Sequence, residues 1–398
     1  MTPDAPGLVS EPGIFDKVWN WIKKDPIRFL LYTGGGVLLA TILYVAFYNL
    51  RNPDISGFTL ERFVRLFIFG MAQGSIYALI ALGYTLVYGI LLMINFAHGE
   101  VFMAGAYIGF FGITLMEQTG LLESQPLLAL LVTMFIGISA SVIVAVLLER
   151  IAYRPLRGAP RLVPLITAIG ASITLQQLFL RLFGGSTRTY PDLNLYVLPG
   201  FFQEECSLVN EVNVCRGLDI IRGIYRVEIP FADQLLELRL RPLYFIVFFV
   251  ALVLMGALWF FVQRTSTGKA MRAVAEDKST AALMGINVDR VIVVTFILGA
   301  ALAGAAAVLF ALYNRQVTPF MGFTPGIKAF TAAVLGGIGN IPGAMFGGLF
   351  LGLIESVAPA LLGLPSQLED VIAFGMLVLI LIFRPTGIFG EVLSKKKA

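Results

Sequence analysis

Apolar residues along this chain run in blocks too long for the core of a soluble domain. Between Arg65 and Arg150 no Lys or Arg intervenes. A stretch of that length is stable only in lipid, as several spanning helices. Charged or turn residues cut the apolar sequence into runs at 27–50, 63–92, 99–116, 127–148, 162–183, 243–262 and 291–312. A short run at 327–335, a glycine-rich one at 343–358 and a last one at 371–383 complete the series. A full span takes ~20 residues. The pattern therefore predicts an all-α polytopic membrane bundle of about ten segments, two of them short broken helices. Residues 62–390 form the membrane domain in this reading, after an N-terminal segment with one further helix (1–61) and before a basic tail (391–398).

The loops set an orientation. Arg150, Arg154, Arg157 and Arg161 follow the fourth run, and Arg264, Lys269, Arg272, Lys278 and Arg290 lie in 264–290. Lys395, Lys396 and Lys397 end the chain. The positive-inside rule puts all three, and both termini, in the cytoplasm. Lys23, Lys24 and Arg28 mark the inner end of the first helix, with Trp19 and Trp21 at the interface. The connection 184–242 must then be an outside, periplasmic insert. It has no lysine and is acid-rich, with Glu204, Glu205, Asp219, Asp233 and Glu237. Cys206 and Cys215, the two cysteines of the chain, both fall in it. On an oxidising side of the membrane they can form a disulfide, or stay as two thiols.

Composition agrees with the pattern: 58% of the residues are hydrophobic and 14% charged. The net charge of +4 sits in short loops beside apolar runs, so it is no nucleic-acid signature. One histidine and no cysteine cluster exclude a zinc enzyme. Gly268-Lys269 lacks the upstream glycine of a phosphate-binding loop. The chain thus reads as no enzyme, with no metal and no cofactor of its own.

Three interruptions carry the candidate chemistry. The first is Asn95-Phe96-Ala97-His98-Gly99-Glu100, which holds the chain's one histidine. Asn95 suits an N-cap, so a helix begins near Phe96 with His98 and Glu100 in its first turns. Its free amides favour a carboxylate. A tight turn near the inner face, with His98 in a packing role, reads equally well. The second is Gly336-Gly337-Ile338-Gly339, between two short helices and flanked by Lys328 and Glu355. These charges face the bundle interior, or Lys328 snorkels outward. The third is the cytoplasmic loop, where Gly268, Arg272, Glu276, Asp277, Ala281, Ala282, Leu283 and Gly285 fit one short amphipathic helix at the membrane face. It can dock on a partner or be an ordinary solvated loop.

These residues also carry a family likeness. Gly83-Tyr84-Thr85-Leu86-Val87-Tyr88-Gly89-Ile90 with Met93-Ile94-Asn95-Phe96-Ala97-His98-Gly99-Glu100 resembles LivH-type permease subunits of branched-chain amino acid ABC importers. So do Glu149-Arg150-Ile151-Ala152-Tyr153-Arg154-Pro155, and Ala275-Glu276-Asp277 with Leu283-Met284-Gly285-Ile286-Asn287. The block Lys328-Ala329-Phe330-Thr331-Ala332-Ala333-Val334-Leu335-Gly336-Gly337-Ile338-Gly339 is the most specific. The resemblance covers about residues 70–390.

It implies a half-transporter in a bacterial inner membrane, working with a second homologous permease chain. Two cytoplasmic ATPase subunits that bind ATP and Mg, and a periplasmic substrate-binding protein, would complete it. The loop 264–290 becomes the coupling element. Asn95, His98, Gly99, Glu100, Lys328, Gly336, Gly337 and Gly339 become pathway or gate residues. The helix 27–50 and the long insert with its cysteines lie outside the family pattern. A urea or short-amide importer, and an ion-coupled secondary transporter, are the competing readings.

Overall fold

A computed structural model describes residues 59–160, 162–191, 223–231, 234–384 and 386–390, with shorter stretches within 44–51 and 196–219. Most of the helix expected at 27–50 and the basic tail lie outside the described residues. The described residues from Leu60 onward, apart from 360–365, form one compact unit, which holds the bundle.

Eight helices among the described residues are long and apolar enough to cross a membrane. In chain order the helices are α1 (Leu60–Leu91), α2 (His98–Gln118), α3 (Pro126–Leu148), α4 (Leu162–Phe183), α5 (Pro242–Arg264), α6 (Ser266–Glu276), α7 (Lys278–Leu283), α8 (Val288–Asn314), α9 (Phe323–Gly336), α10 (Ile341–Leu361) and α11 (Glu369–Phe383). The bundle follows the hydropathy pattern, except that the glycine-rich run at 343–358, expected as a short broken helix, lies in the 21-residue α10, which is long enough to span. At fourteen residues α9 cannot span, and it is one of the expected half-helices.

Burial sorts the helices into layers. In α1, α2 and α8 two-thirds or more of the most apolar window is buried, against 28% or less in α3, α4, α5 and α11. The inner three are rich in small residues, and the outer four turn Leu, Ile and Phe outward, as lipid requires. Helix pairs meet at glycine. A Cβ on Gly304 of α8 would stand 2.7 Å from the Ile138 backbone in α3, and Gly348 of α10 lies directly on Ala78 of α1. In lipid no hydrophobic force pulls helices together, so close backbone approach and van der Waals packing must do so.

The described residues between α4 and α5 are not helical. They contain β1 (Arg188–Thr189), β2 (Tyr196–Val197), β3 (Cys206–Val209), β4 (Val212–Cys215), β5 (Leu218–Asp219), β6 (Tyr225–Phe231) and β7 (Gln234–Leu240). β3 pairs with β4, β2 with β5 and β6 with β7, all antiparallel. The all-α expectation holds for the bundle, and small ribbons form in the connection. β1 pairs with β8 (Gln316–Val317), which brings the ends of α4 and α8 to one face. The register sets Cys206 directly opposite Cys215. Backbone partners of that kind stand within the Cα separation a disulfide needs.

The arginine-rich loops share the other face. α3 runs on through a π-turn (Glu149–Tyr153) into a 3₁₀ turn (Arg154–Leu156), where Pro155 ends it. Arg154 pairs with Asp289 in the first turn of α8 at 3.0 Å, and Arg157 pairs with both Asp289 and the fully buried Glu149. Asp289 also suits the positive end of α8. The loop charges thus clamp α3 to α8.

Replacing Gly304 by Leu should abolish the folded bundle or lower its melting temperature strongly in detergent, since backbone must move. Gly170→Leu and Gly256→Leu, at positions with open space around them, should melt as the parent does. Equal tolerance at all three would contradict the close-packed account.

Candidate functional site

The chain between α1 and α2 bends inward. Leu92 takes a left-handed conformation, φ 56°, and α2 then begins at His98 with Ala97 as its N-cap residue. Asn95 is not the side-chain cap the sequence suggested. Its backbone carbonyl accepts from the His98 amide at 3.1 Å, while its side-chain Oδ1 accepts from the Tyr153 hydroxyl at 2.6 Å. Both side chains are buried. The π-turn is what carries Tyr153 inward while Arg154 stays outside. Two sequence blocks 58 residues apart therefore form one lock.

His98 lies deeper than the loop count implied. Its imidazole packs on Gly83 of α1, where a Cβ would meet Cε1 at 2.5 Å, and edge-on against Tyr84 at 4.9 Å. Gly83 in turn faces Gly299. Gly299 is eleven residues into α8, about 16 Å along its axis and so near the middle of a ~30 Å core. The expectation of a turn at the inner surface is corrected accordingly.

α9 starts at the same depth. The Gly322 carbonyl would be 2.5 Å from a Cβ on Gly99, and Gly326 packs on Gly99 as well. Phe330 of α9 meets Phe96 at 5.8 Å and Tyr84 at 5.9 Å between ring centroids. Two helix N-termini thus abut in mid-bundle, with α2 running toward one face and α9 toward the other. Glycine is required at this crossing by space. Glu100, in the first turn of α2, accepts at Oε1 from Ser172 at 3.2 Å and Gln176 at 2.6 Å, both on α4. Its Oε2, the His98 Nε2 and the Thr85 hydroxyl are buried without a protein partner. Native structures leave few such atoms, and each calls for a reason.

The second glycine break closes α9. Gly337 and Gly339 both have positive φ, 102° and 96°, which a side chain would strain. Gly336 packs directly on Gly343 at the start of α10, and Gly89 faces Gly339 at 3.7 Å. Asn340 bonds Phe389 at 2.9 Å and the Gly343 amide at 3.0 Å. This break lies at the arginine-rich face beside the end of α1, away from His98. Lys328 does not snorkel: it is 4% exposed and pairs with Glu355 and Asp370.

The loop 264–290 forms an elbow of two helices, not the single one expected. Asp277 breaks it, because its Oδ1 accepts from the Ser279 and Thr280 amides at 2.8 and 2.9 Å and caps α7. The Ser279 hydroxyl, which donates to the same oxygen at 2.6 Å, together with these amides holds its carboxyl down at about 2. Gly268 and Arg272 maintain the elbow internally. A Cβ on Gly268 would run into the Phe261 carbonyl at 2.5 Å, and Arg272 donates to Val262 and to Gln263 at the end of α5. Gly285, φ 83°, ends α7. The Gly285 amide bonds Ala282 and the Ile286 amide bonds Ala281, so orphan carbonyls are satisfied by a paired C-terminal motif. Ala281 is buried, while Glu276 and Ala282 are exposed. Leu283 and Met284 stand 88% and 79% exposed in this otherwise polar loop. Met284 was not among the residues the sequence nominated. Its signal was an apolar pair just before a helix-ending glycine.

The sequence family described as branched-chain amino acid transport system / permease component matches residues 66–381. The high-affinity branched-chain amino acid transport system permease protein BraD of Pseudomonas aeruginosa is 44% identical over 336 residues, 83% of this chain and 97% of BraD. The corresponding LivH of Escherichia coli K12 is 40% identical over 326 residues, 81% and 94% of the two chains. A probable LivH of Methanocaldococcus jannaschii is 28% identical over 284 residues, 71% and 77%. No solved structure matches.

Tyr153→Phe leaves the Asn95 Oδ1 buried without its donor, which costs ~1–3 kcal/mol. Asn95→Ala strands the tyrosine hydroxyl at similar cost. The double change Asn95→Ala with Tyr153→Phe should cost less than the sum of the two singles, as read by denaturant unfolding. Strict additivity would mean that the two side chains do not share a bond.

Proposed function

The chain belongs to the family of branched-chain amino acid transport permease components, and from that membership we propose how it works. It is a multi-pass membrane permease of an ABC importer that moves branched-chain or related amino acids inward. Separate ATPase subunits drive it and a substrate-binding protein feeds it. A second, homologous permease chain lies beside it in a bacterial inner membrane. The arginine-rich face and both termini are cytoplasmic, and the ribbons of 184–242 are periplasmic. There Cys206 and Cys215 are joined.

The observation that carries the coupling half of this reading is the exposed Leu283–Met284 pair on the α6–α7 elbow. Two large apolar side chains in water at the tip of a rigid turn favour burial on a partner. A shallow groove behind them, floored by Ala273, Ala281 and Ile286, would accept an apolar side chain in return. Force on the elbow reaches α5 through Gly268 and Arg272, and α8 through the short link after Gly285.

The transport half rests on the seam where α2 and α9 begin. The lock of Asn95 and Tyr153 closes it toward the cytoplasm. Opening it would expose the orphan atoms of His98, Glu100 and Thr85 to the cargo or to water that accompanies it. ATP and Mg belong to the partner subunits, and this chain carries out no chemistry.

Leu283→Asp with Met284→Asp should leave the melting temperature of the isolated permease unchanged, because neither side chain packs within the chain. Binding-protein-stimulated ATP hydrolysis in proteoliposomes should fall at least to the unstimulated level. Normal stimulation would sink the docking assignment.

A further inference from the structure

A second charged group lies apart from the seam. Lys328 of α9, Glu355 of α10 and Glu369 and Asp370 in the first turn of α11 converge beside α1. Glu355 is fourteen residues into α10, about 21 Å along its axis, and so lies toward the face opposite the arginine-rich loops. Lys328 Nζ pairs with Glu355 Oε1 and Asp370 Oδ1. One carboxylate oxygen from each of the three acids lies within 4.8 Å of the other two. Gln73 and Tyr77 donate to the same Glu355 Oε1 at 3.2 and 3.3 Å.

The account of charges and donors does not balance. Three carboxylates face one ammonium. Glu355 Oε2 is buried with no partner, and so is the Tyr313 hydroxyl, which lies within electrostatic reach of Glu355 and Glu369. Lys328 and Glu355 are 4% and 1% exposed, whereas the Asp370 side chain is 49% exposed. The group therefore has a sealed floor and an open mouth. Unmatched carboxylates in such surroundings are costly unless a cation joins them.

We propose that this cluster is a binding subsite for a primary ammonium group, the α-amino end of an amino acid entering the bundle. That last identification rests on the import reading above. An ammonium offers three donors to oxygens that can only accept, and Glu355 Oε2 is buried without a partner in the same group of acids as Glu369 and the half-exposed Asp370. The pocket already holds one ammonium near an aromatic face, with Lys328 Nζ 5.9 Å from the Tyr77 ring centroid. The Lys328 ammonium has a third hydrogen beyond its two carboxylates, and with the Tyr313 hydroxyl it can receive the ligand's carboxylate. Phe69, Tyr244 and Tyr313 pack together at 5.5–5.7 Å and give an apolar wall for a side chain.

The test uses the permease in complex with its ATPase subunits in nanodiscs, without binding protein. Melting temperature is followed against leucinamide (ammonium only), 4-methylpentanoate (carboxylate only), leucine, sodium and magnesium. Leucinamide and leucine should stabilise, and 4-methylpentanoate should not. Glu369→Gln with Asp370→Asn, which preserves shape, should weaken the apparent affinity for leucinamide by about tenfold or more, as loss of charge-assisted bonds implies. Glu369→Gln alone serves if the double variant does not assemble. No shift with leucinamide, an unchanged affinity in the variant, or equal stabilisation by sodium or magnesium would each overturn the proposal. ATP-driven leucine uptake by the parent complex reads the import assignment separately. Uptake without a leucinamide shift overturns the subsite alone, and a shift without uptake overturns the import reading alone.

Discussion

The meeting of two helix starts in mid-bundle is the constraint on which the rest depends. Lipid offers no hydrogen bonds, so a chain may leave helical geometry there only where protein covers it. α2 begins at His98 and α9 begins at Phe323, and their first amides turn to local carbonyls, His98 to Asn95 and Phe323 to Phe320. Gly99, Gly322 and Gly326 let the two starts touch. Tyr84, Phe96 and Phe330 cover them. The surrounding helices α1 and α8 must then be small-residue helices at that level, as Gly83 facing Gly299 shows.

From that crossing, two lines of contact lead to the arginine-rich face. One passes from the break through Asn95 to Tyr153 and on to the Glu149–Arg157–Asp289 network at the head of α8. The other follows α9 down to the glycine break, which packs on the end of α1 and the start of α10. The α6–α7 elbow joins the same face through α5 and α8. A push on the elbow thus acts on helices that hold the seam. Coupling of this kind needs a two-state element, and the seam with its orphan polar atoms is the best candidate in the bundle.

Much of the architecture was legible because lipid writes itself into hydropathy. The spans, the half-helix at 327–335 and the charged faces all follow from length and from Lys and Arg placement. Local chemistry was less legible. Asn95 looked like a cap because its residue type is a good one, yet Tyr153, 58 residues away, competes for its side chain. Lys328 looked free to snorkel because its partners Glu355 and Asp370 come from two later helices. Gly268 and Arg272 were read as docking residues from their place on an amphipathic pattern. The fold spends them on the end of α5 instead. The elbow itself was hidden because Asp277 both continues a helical pattern and caps a new helix. Ribbons between α4 and α5 gave no clear alternation to read.

The central claim, that the seam between the α1–α2 break and α9 moves during transport, can be tested by tying it shut. Phe96 and Phe330 lie 5.8 Å apart between ring centroids and come from the two sides. With Cys206 and Cys215 replaced by Ser, cysteines at 96 and 330 can be bridged by a short, reducible thiol cross-linker in the assembled transporter. ATP-driven amino-acid uptake is then measured per linked complex. The account predicts that uptake collapses when the bridge forms and returns on reduction. Uptake that continues at the unlinked rate through a fully bridged seam would contradict it.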